Sequence, residues 1–187
     1  MSKFTQKAIM LTFLEILKQK SLDKITVKDI IEMAEINRNT FYYYFDDIYD
    51  LIDCIFESEK QSVMKEFKED STFYEEFVKA ASVVINNRQA IIHIYNSKSK
   101  DILYHYLEEV TESVVRRFVR KAAEGYKITD DGIEFVTYFY SSAIVGSTIH
   151  WVRQGMPDYS EILIRKISES FEVSVESVIQ NYVLTDK

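Results

Sequence analysis

Hydrophobic residues recur at helical spacing along nearly the whole chain, interrupted by short polar stretches. Ile9, Phe13, Ile16 and Leu17 make one apolar stripe, which predicts a helix over 3–20, followed by a link at 21–24. Val27, Ile30, Ile31 and Ala34 then repeat at i, i+3, i+4 and i+7. Thr26 stands at the N-cap position of that helix, and Asp29 three residues on completes a capping box. The stripe stops at 35–37, where Asn37 can cap a second short helix, Arg38 to Phe45. Phe41 and Phe45 share one side of it. The other side carries Arg38, Asn39, Thr40, Tyr42, Tyr43 and Tyr44, a row of donors and hydroxyls that no core requires. Two short helices joined by a tight turn, with a polar leading end on the second, make a unit that enters a DNA major groove.

The same reasoning predicts five further helices and one short one. A fourth helix starts at Asp46-Asp47 and runs to about Glu69, and its second half is much more polar than its first. It therefore bridges a small N-terminal domain, 1–47, and a larger regulatory and dimerisation domain, 48–187. Thr72 with Glu75 opens a helix to about Asn86, and a short apolar helix over 91–95 follows the break at 86–88. The stretch 101–124 carries Arg116, Arg117, Arg120 and Lys121 in its last turns, with Gly125 just beyond, as a helix C-terminus should. Thr129 opens a helix to about Gln154, stopped by Gly155-Met156-Pro157. Asp158 with Glu161 opens a last helix to about Tyr182.

Residues 135–152 contain no charge, the nominal length of a membrane span, but Thr, Tyr, Ser and His are too frequent there for insertion. The better expectation is a helix buried from two directions. Ala143, Gly146 and Ser147 allow close helix approach. With Tyr140 on the same helix, and Phe171, Val175 and Val178 on the next, they predict a homodimeric four-helix interface. The alternative is a monomer whose last two helices close its own core.

The net charge of −7 does not suggest nucleic acid until its distribution is considered. Through Phe45 there are seven Lys/Arg against five Asp/Glu, a net of +2; the rest holds sixteen against twenty-five, a net of −9. Such asymmetry fits a chain that meets phosphates at one end. Only four Gly and one Pro occur, which argues for long helices and against an all-β or dinucleotide-binding fold. Cys54 is the single cysteine, so no internal disulfide forms; a reducing cytoplasm and a buried, inert thiol are expected. His93, His105 and His150 lack metal-binding spacing, and no catalytic motif is present. Neither an enzyme, a cofactor nor a metal is expected.

Thirteen Tyr and twelve Phe are many for a helical protein. His93, Tyr95, Tyr104, Tyr138 and Trp151 lie on helices that could share one cavity for an unidentified small-molecule effector, with Tyr106, Phe118, Phe139, Tyr140 and His150 as further neighbours. Ordinary aromatic core is the other reading.

Ile25-Thr26-Val27, Asp29-Ile30, Ala34, Thr40, Tyr42-Tyr43, Phe45 and Leu51 resemble, without a gap over residues 3–51, the DNA-binding domain of TetR/AcrR-type transcriptional regulators. The resemblance implies an all-α dimer with an N-terminal three-helix DNA-binding domain, reading an operator palindrome and released by a ligand. Glu35 stands where this family commonly has Gly, Tyr44 where it has His, and Ile48 where it has a phosphate-contacting Lys. The C-terminal half (Tyr95-Asn96-Ser97-Lys98, Leu103 to Leu107, Phe139-Tyr140-Ser141, Gly146, Trp151 to Met156) resembles the subgroup related to the dihydroxyacetone-kinase operon regulator, in which some members are activators with a protein partner. Arg38, Asn39 and Thr40 are expected at base edges, and Thr26, Lys28, Asn37, Tyr42, Tyr43 and Tyr44 at phosphates of double-stranded DNA. The competing reading is a TetR-like activator or co-regulator acting through a protein partner with weak DNA affinity.

Overall fold

The computed structural model describes residues 3–158 and 160–182, and its regular elements there are all helical. In order they are α1 (Lys3–Gln19), a 3-10 turn (Leu22–Lys24), α2 (Val27–Met33), α3 (Arg38–Tyr44), α4 (Ile48–Lys65), α5 (Phe73–Asn86), α6 (Arg88–Tyr95), α7 (Asp101–Ala122), α8 (Asp130–Arg153) and α9 (Ser160–Gln180). Side chains set most helix starts. Thr26 and Thr72 form complete capping boxes with Asp29 and Glu75, while Asn37, Asp47 and Thr129 each accept a backbone N–H from the first turn they precede. The Asp158–Glu161 box turns on residue 159, outside the described residues.

The helix α4 ends at Lys65, short of the expected Glu69. The chain turns early because Phe73 is drawn into the core, stacked on Phe171 with centroids 4.1 Å apart. Glu76 is buried behind that turn and paired with Lys79 Nζ at 2.8 Å, and the same Nζ donates to the carbonyl of Glu66.

The helices α1 to α3 close around Ile9, Phe13, Leu17, Ile30, Phe41 and Phe45, all buried, and Leu51 and Ile52 of α4 complete this core. From there α4 packs on α1 at one end and on α5 and α7 at the other. Two further ties join the N-terminal helices to the body. His93 Nδ1 donates to the Leu17 carbonyl at 2.5 Å, and the Lys98 N–H donates to the Asp23 carboxylate at 3.2 Å. In the body, α8 runs along α7, while α9 packs on α5, α7 and α8.

The expected interface residues separate into two groups. Tyr140, Phe171 and Val175 are buried within their own chain: the Tyr140 hydroxyl bonds Ser174 Oγ at 2.7 Å, and its ring meets Phe171 edge-on. Val178 is half-buried against the same core. Ala143 and Gly146 are exposed and Ser147 is partly so. They share an uncharged stripe with Phe135, Tyr138, Phe139 and Ser142, in which Tyr138 is 67% exposed. The α8 helix thus has two apolar faces, one packed on its own chain and one open. No helix among the described residues is long and apolar enough to cross a membrane.

Candidate nucleic-acid interface

Three local devices position α3. Phe41 and Phe45 anchor its inner side with ring centroids 5.8 Å apart, Asn37 caps its start, and the α2–α3 turn sets its angle. Its outer side then presents Arg38, Asn39, Tyr42 and Tyr43 to solvent, with Thr40 and Tyr44 partly covered. The Arg38 guanidinium lies over the Tyr42 ring, 5.7 Å from its centroid, a cation–π contact that holds it along the outer face of α3. Tyr43 and Tyr44 meet edge to face at 4.9 Å. All the residues expected on this surface come together at the α2–α3 end of the chain.

Three of them have polar groups already engaged within the chain. The Thr26 hydroxyl donates to Asp29 Oδ2 at 2.7 Å and accepts from the Asp29 N–H, while the Thr26 N–H also donates to Asp29 Oδ2. Both its donors are engaged within the chain, so Thr26 serves as a cap here. Asn37 Oδ1 accepts from the Thr40 N–H at 2.8 Å and from the Thr40 hydroxyl at 3.1 Å, which leaves Asn37 only its amide NH2 and occupies the Thr40 hydroxyl proton. Lys28 lies 3.6 Å from Glu32 in an exposed pair that a phosphate can displace. Lys20 sits 2.9 Å from Asp29; its hydrogen bond, with those from Thr26, holds the Asp29 carboxyl down at about 2.

The α2–α3 turn is a Schellman end. The Ile36 N–H reaches the Ile31 carbonyl, the Glu35 N–H reaches Glu32, and Glu35 sits at φ +52°. An L side chain is strained there, which is why the family commonly has Gly at this point. The end of α8 uses the same motif with the residue it favours, Gly155 at φ +80°. Ile48 opens α4, half-buried against the core, and supplies no cation to the surface.

None of the described cavities brings together the five residues expected around an effector. His93 is engaged with α1, Tyr95 packs partly buried on α6, and Tyr138 faces solvent on α8. Tyr104 and Tyr138 border an open groove between α7 and α8. Of the five, only Trp151 lines the partly open apolar cavity, ≈ 40 Å³, between α5, α7, α8 and α9, together with Tyr106 of the further neighbours. Aromatic spacing identified helices with aromatic faces but not which face turned inward. Cys54 is half-buried, its Sγ 3.8 Å from Asp50 Oδ1, and burial pushes the thiol pKa up, away from a reactive thiolate. No cluster of metal-ligating side chains occurs among the described residues.

Known proteins match this arrangement. Residues 12–55 match the family described as bacterial regulatory proteins, tetR family, and residues 71–173 match the transcriptional regulator C-terminal region. The HTH-type dhaKLM operon transcriptional activator DhaS of Lactococcus lactis subsp. lactis (strain IL1403) is 38% identical over 58 residues, 31% of this chain and 31% of that protein's own length. The fold is similar to that of the dihydroxyacetone kinase operon activator DhaS, with a TM-score of 0.75 at 20% identity over 98% of this chain and 100% of that one. It is also similar to the regulatory protein TetR from Rhodobacter sphaeroides, with a TM-score of 0.56 at 14% identity over 90% and 97%. Members of this family are regulators that bind DNA and act as dimers, not enzymes. The chain belongs to the TetR family of transcriptional regulators.

Proposed function

We propose that this regulator works in the cytoplasm as a homodimer on a palindromic operator, with residues 1–47 reading DNA and 48–187 sensing and dimerising. The observation that carries this reading is the outer side of α3, where Arg38, Asn39, Tyr42 and Tyr43 are exposed on a helix anchored from behind by Phe41 and Phe45. Arg38 and Asn39 face base edges, with the Thr40 methyl beside them. Lys28, the Asn37 amide and the three tyrosines hold phosphates. The two reader helices fall on half-sites about 34–36 Å apart or a multiple of that.

The dimer face is the open stripe of α8. Gly146 supports it: this residue sits mid-helix with nothing near the place of a Cβ, where Ala would be favoured by about 1 kcal/mol unless another backbone comes close. Repression relieved by a small effector in the body is the regulatory reading. A second reading, activation through a protein partner, is favoured by the name of the relative from Lactococcus lactis, a transcriptional activator.

Footprinting on the DNA upstream of the protein's own gene and its neighbours, at low and moderate salt, tests the proposal. Selective protection of a palindrome that weakens steeply with salt is the expected result. In the same assay Arg38→Ala should relax specificity at one base position, by on the order of 1–3 kcal/mol. Absence of selective binding at low salt would favour the partner-protein reading, to be followed by a pull-down.

A further inference from the structure

The partly open apolar cavity of the body is lined without a single charged side chain. Phe77, Val84, Leu107, Val110, Trp151 and Ile164 form its buried wall. An ion placed there would lose hydration and gain no counter-charge. Its polar groups are mostly committed: the Thr148 hydroxyl donates to the Ile144 carbonyl at 2.9 Å, and the Trp151 indole N–H donates to the Pro157 carbonyl at 3.0 Å. Thr111 and Ser160 are partly exposed.

Tyr106 is different. Its side chain is buried, with 4% of the residue exposed, and its hydroxyl has no hydrogen-bond partner among the described residues. Burial pushes the phenol pKa well up, so the group stays a donor. A buried donor without an acceptor is destabilising, and a molecule that brings one recovers the lost bond. The ring is stacked on Phe56 of α4 at 4.2 Å and 11°, and it borders the open groove between α4 and α7 as well as this cavity.

We infer that this cavity takes a neutral, largely apolar small molecule with one hydrogen-bond acceptor, held by the Tyr106 hydroxyl. The inference rests on the effector reading above and names its chemical class. In the structure the space holds about one water molecule, so the ligand enters by displacing side chains. The wall most open to this is the partly exposed group Ala81, Ile85, Leu163 and Ile167, between the end of α5 and the start of α9. Because Tyr106 stacks on Phe56, occupancy bears on α4, the helix that follows the reader.

The test uses the intact protein and three probes of similar size: acetophenone, ethylbenzene and benzoate. Trp151 is the only tryptophan and lines the cavity, so its emission reports occupancy there, and the rise in melting temperature gives affinity by mass action. Acetophenone should bind about tenfold more tightly than ethylbenzene, with benzoate weakest. Tyr106→Phe keeps the ring and its stack; it should bind ethylbenzene as before and lose the preference for the ketone. Equal binding of the two neutral probes by the wild type, or a preference that survives in Tyr106→Phe, would overturn the anchor while leaving an apolar effector site standing. Tightest binding of benzoate would overturn the neutral class. If no probe saturates Trp151, this cavity is not the effector site and the inference is overturned, while an effector bound elsewhere in the body stands.

Discussion

The reader and the body cap their helices alike but differ in the polar groups they bury. In the first fifty residues the short polar side chains that structure the backbone sit at the surface and are satisfied within three or four residues of themselves: Thr26 with Asp29, Asn37 with Thr40, Asp47 with the N–H groups of Tyr49 and Asp50. In the body, four buried hydroxyls, those of Tyr106, Thr137, Ser141 and Ser168, have no partner among the described residues. Satisfied local networks hold a recognition helix in one orientation, as docking on a fixed groove demands. Orphaned polar groups leave a body that gains from a rearrangement or a ligand, as sensing demands.

Four measurements sharpen or break this contrast. The largest effect is expected at the reader's one strained position. Glu35→Gly should stabilise the protein by about 1–2 kcal/mol, because glycine adopts φ +52° without the steric cost an L side chain meets there. It also removes a negative charge near the DNA face. A null result in chemical denaturation would mean that the turn relaxes and stores no strain.

The same substitution type in the two regions comes next. Thr26→Val removes a cap and should cost about 1 kcal/mol, with an unchanged salt slope of DNA binding, since the hydroxyl contacts Asp29 and no phosphate. Thr137→Val replaces a fully buried, unpartnered hydroxyl with a methyl of similar shape, and should be neutral to stabilising by about 1 kcal/mol. Equal signs in the two denaturation curves would remove the contrast.

The smallest effect is in pH. The Asp29 carboxyl is lowered from 3.8 to about 2, first by Lys20 and then by Thr26, so its folded pKa lies below its unfolded one. Its contribution to stability is present above about pH 4 and is lost as pH falls through that range toward 2. The difference in melting temperature between wild type and Asp29→Asn should therefore close on acidification. A constant gap would show that the Lys20 bond does not form in solution.

Much of this molecule was legible without its tertiary structure. The periodicity of Ile9, Phe13 and Leu17, the boxes at Thr26 and Thr72, and the stop at Gly155 depend on contacts between residues three to five apart, so the sequence alone carries them. The same holds for α3, where no apolar partner could use Arg38, Asn39, Tyr42 and Tyr43. What the tertiary structure alone decided is which of two suitable faces each body helix turns inward. On α8, Tyr140 went to the core and Tyr138 to the surface; on α9, Phe171 and Val175 went to the core. His93, expected in a cavity, instead ties α6 to α1, and α4 stops where Phe73 enters the core. These outcomes follow from packing between residues tens of positions apart. A helix with apolar groups nearly all round carries no local signal that ranks one face above another.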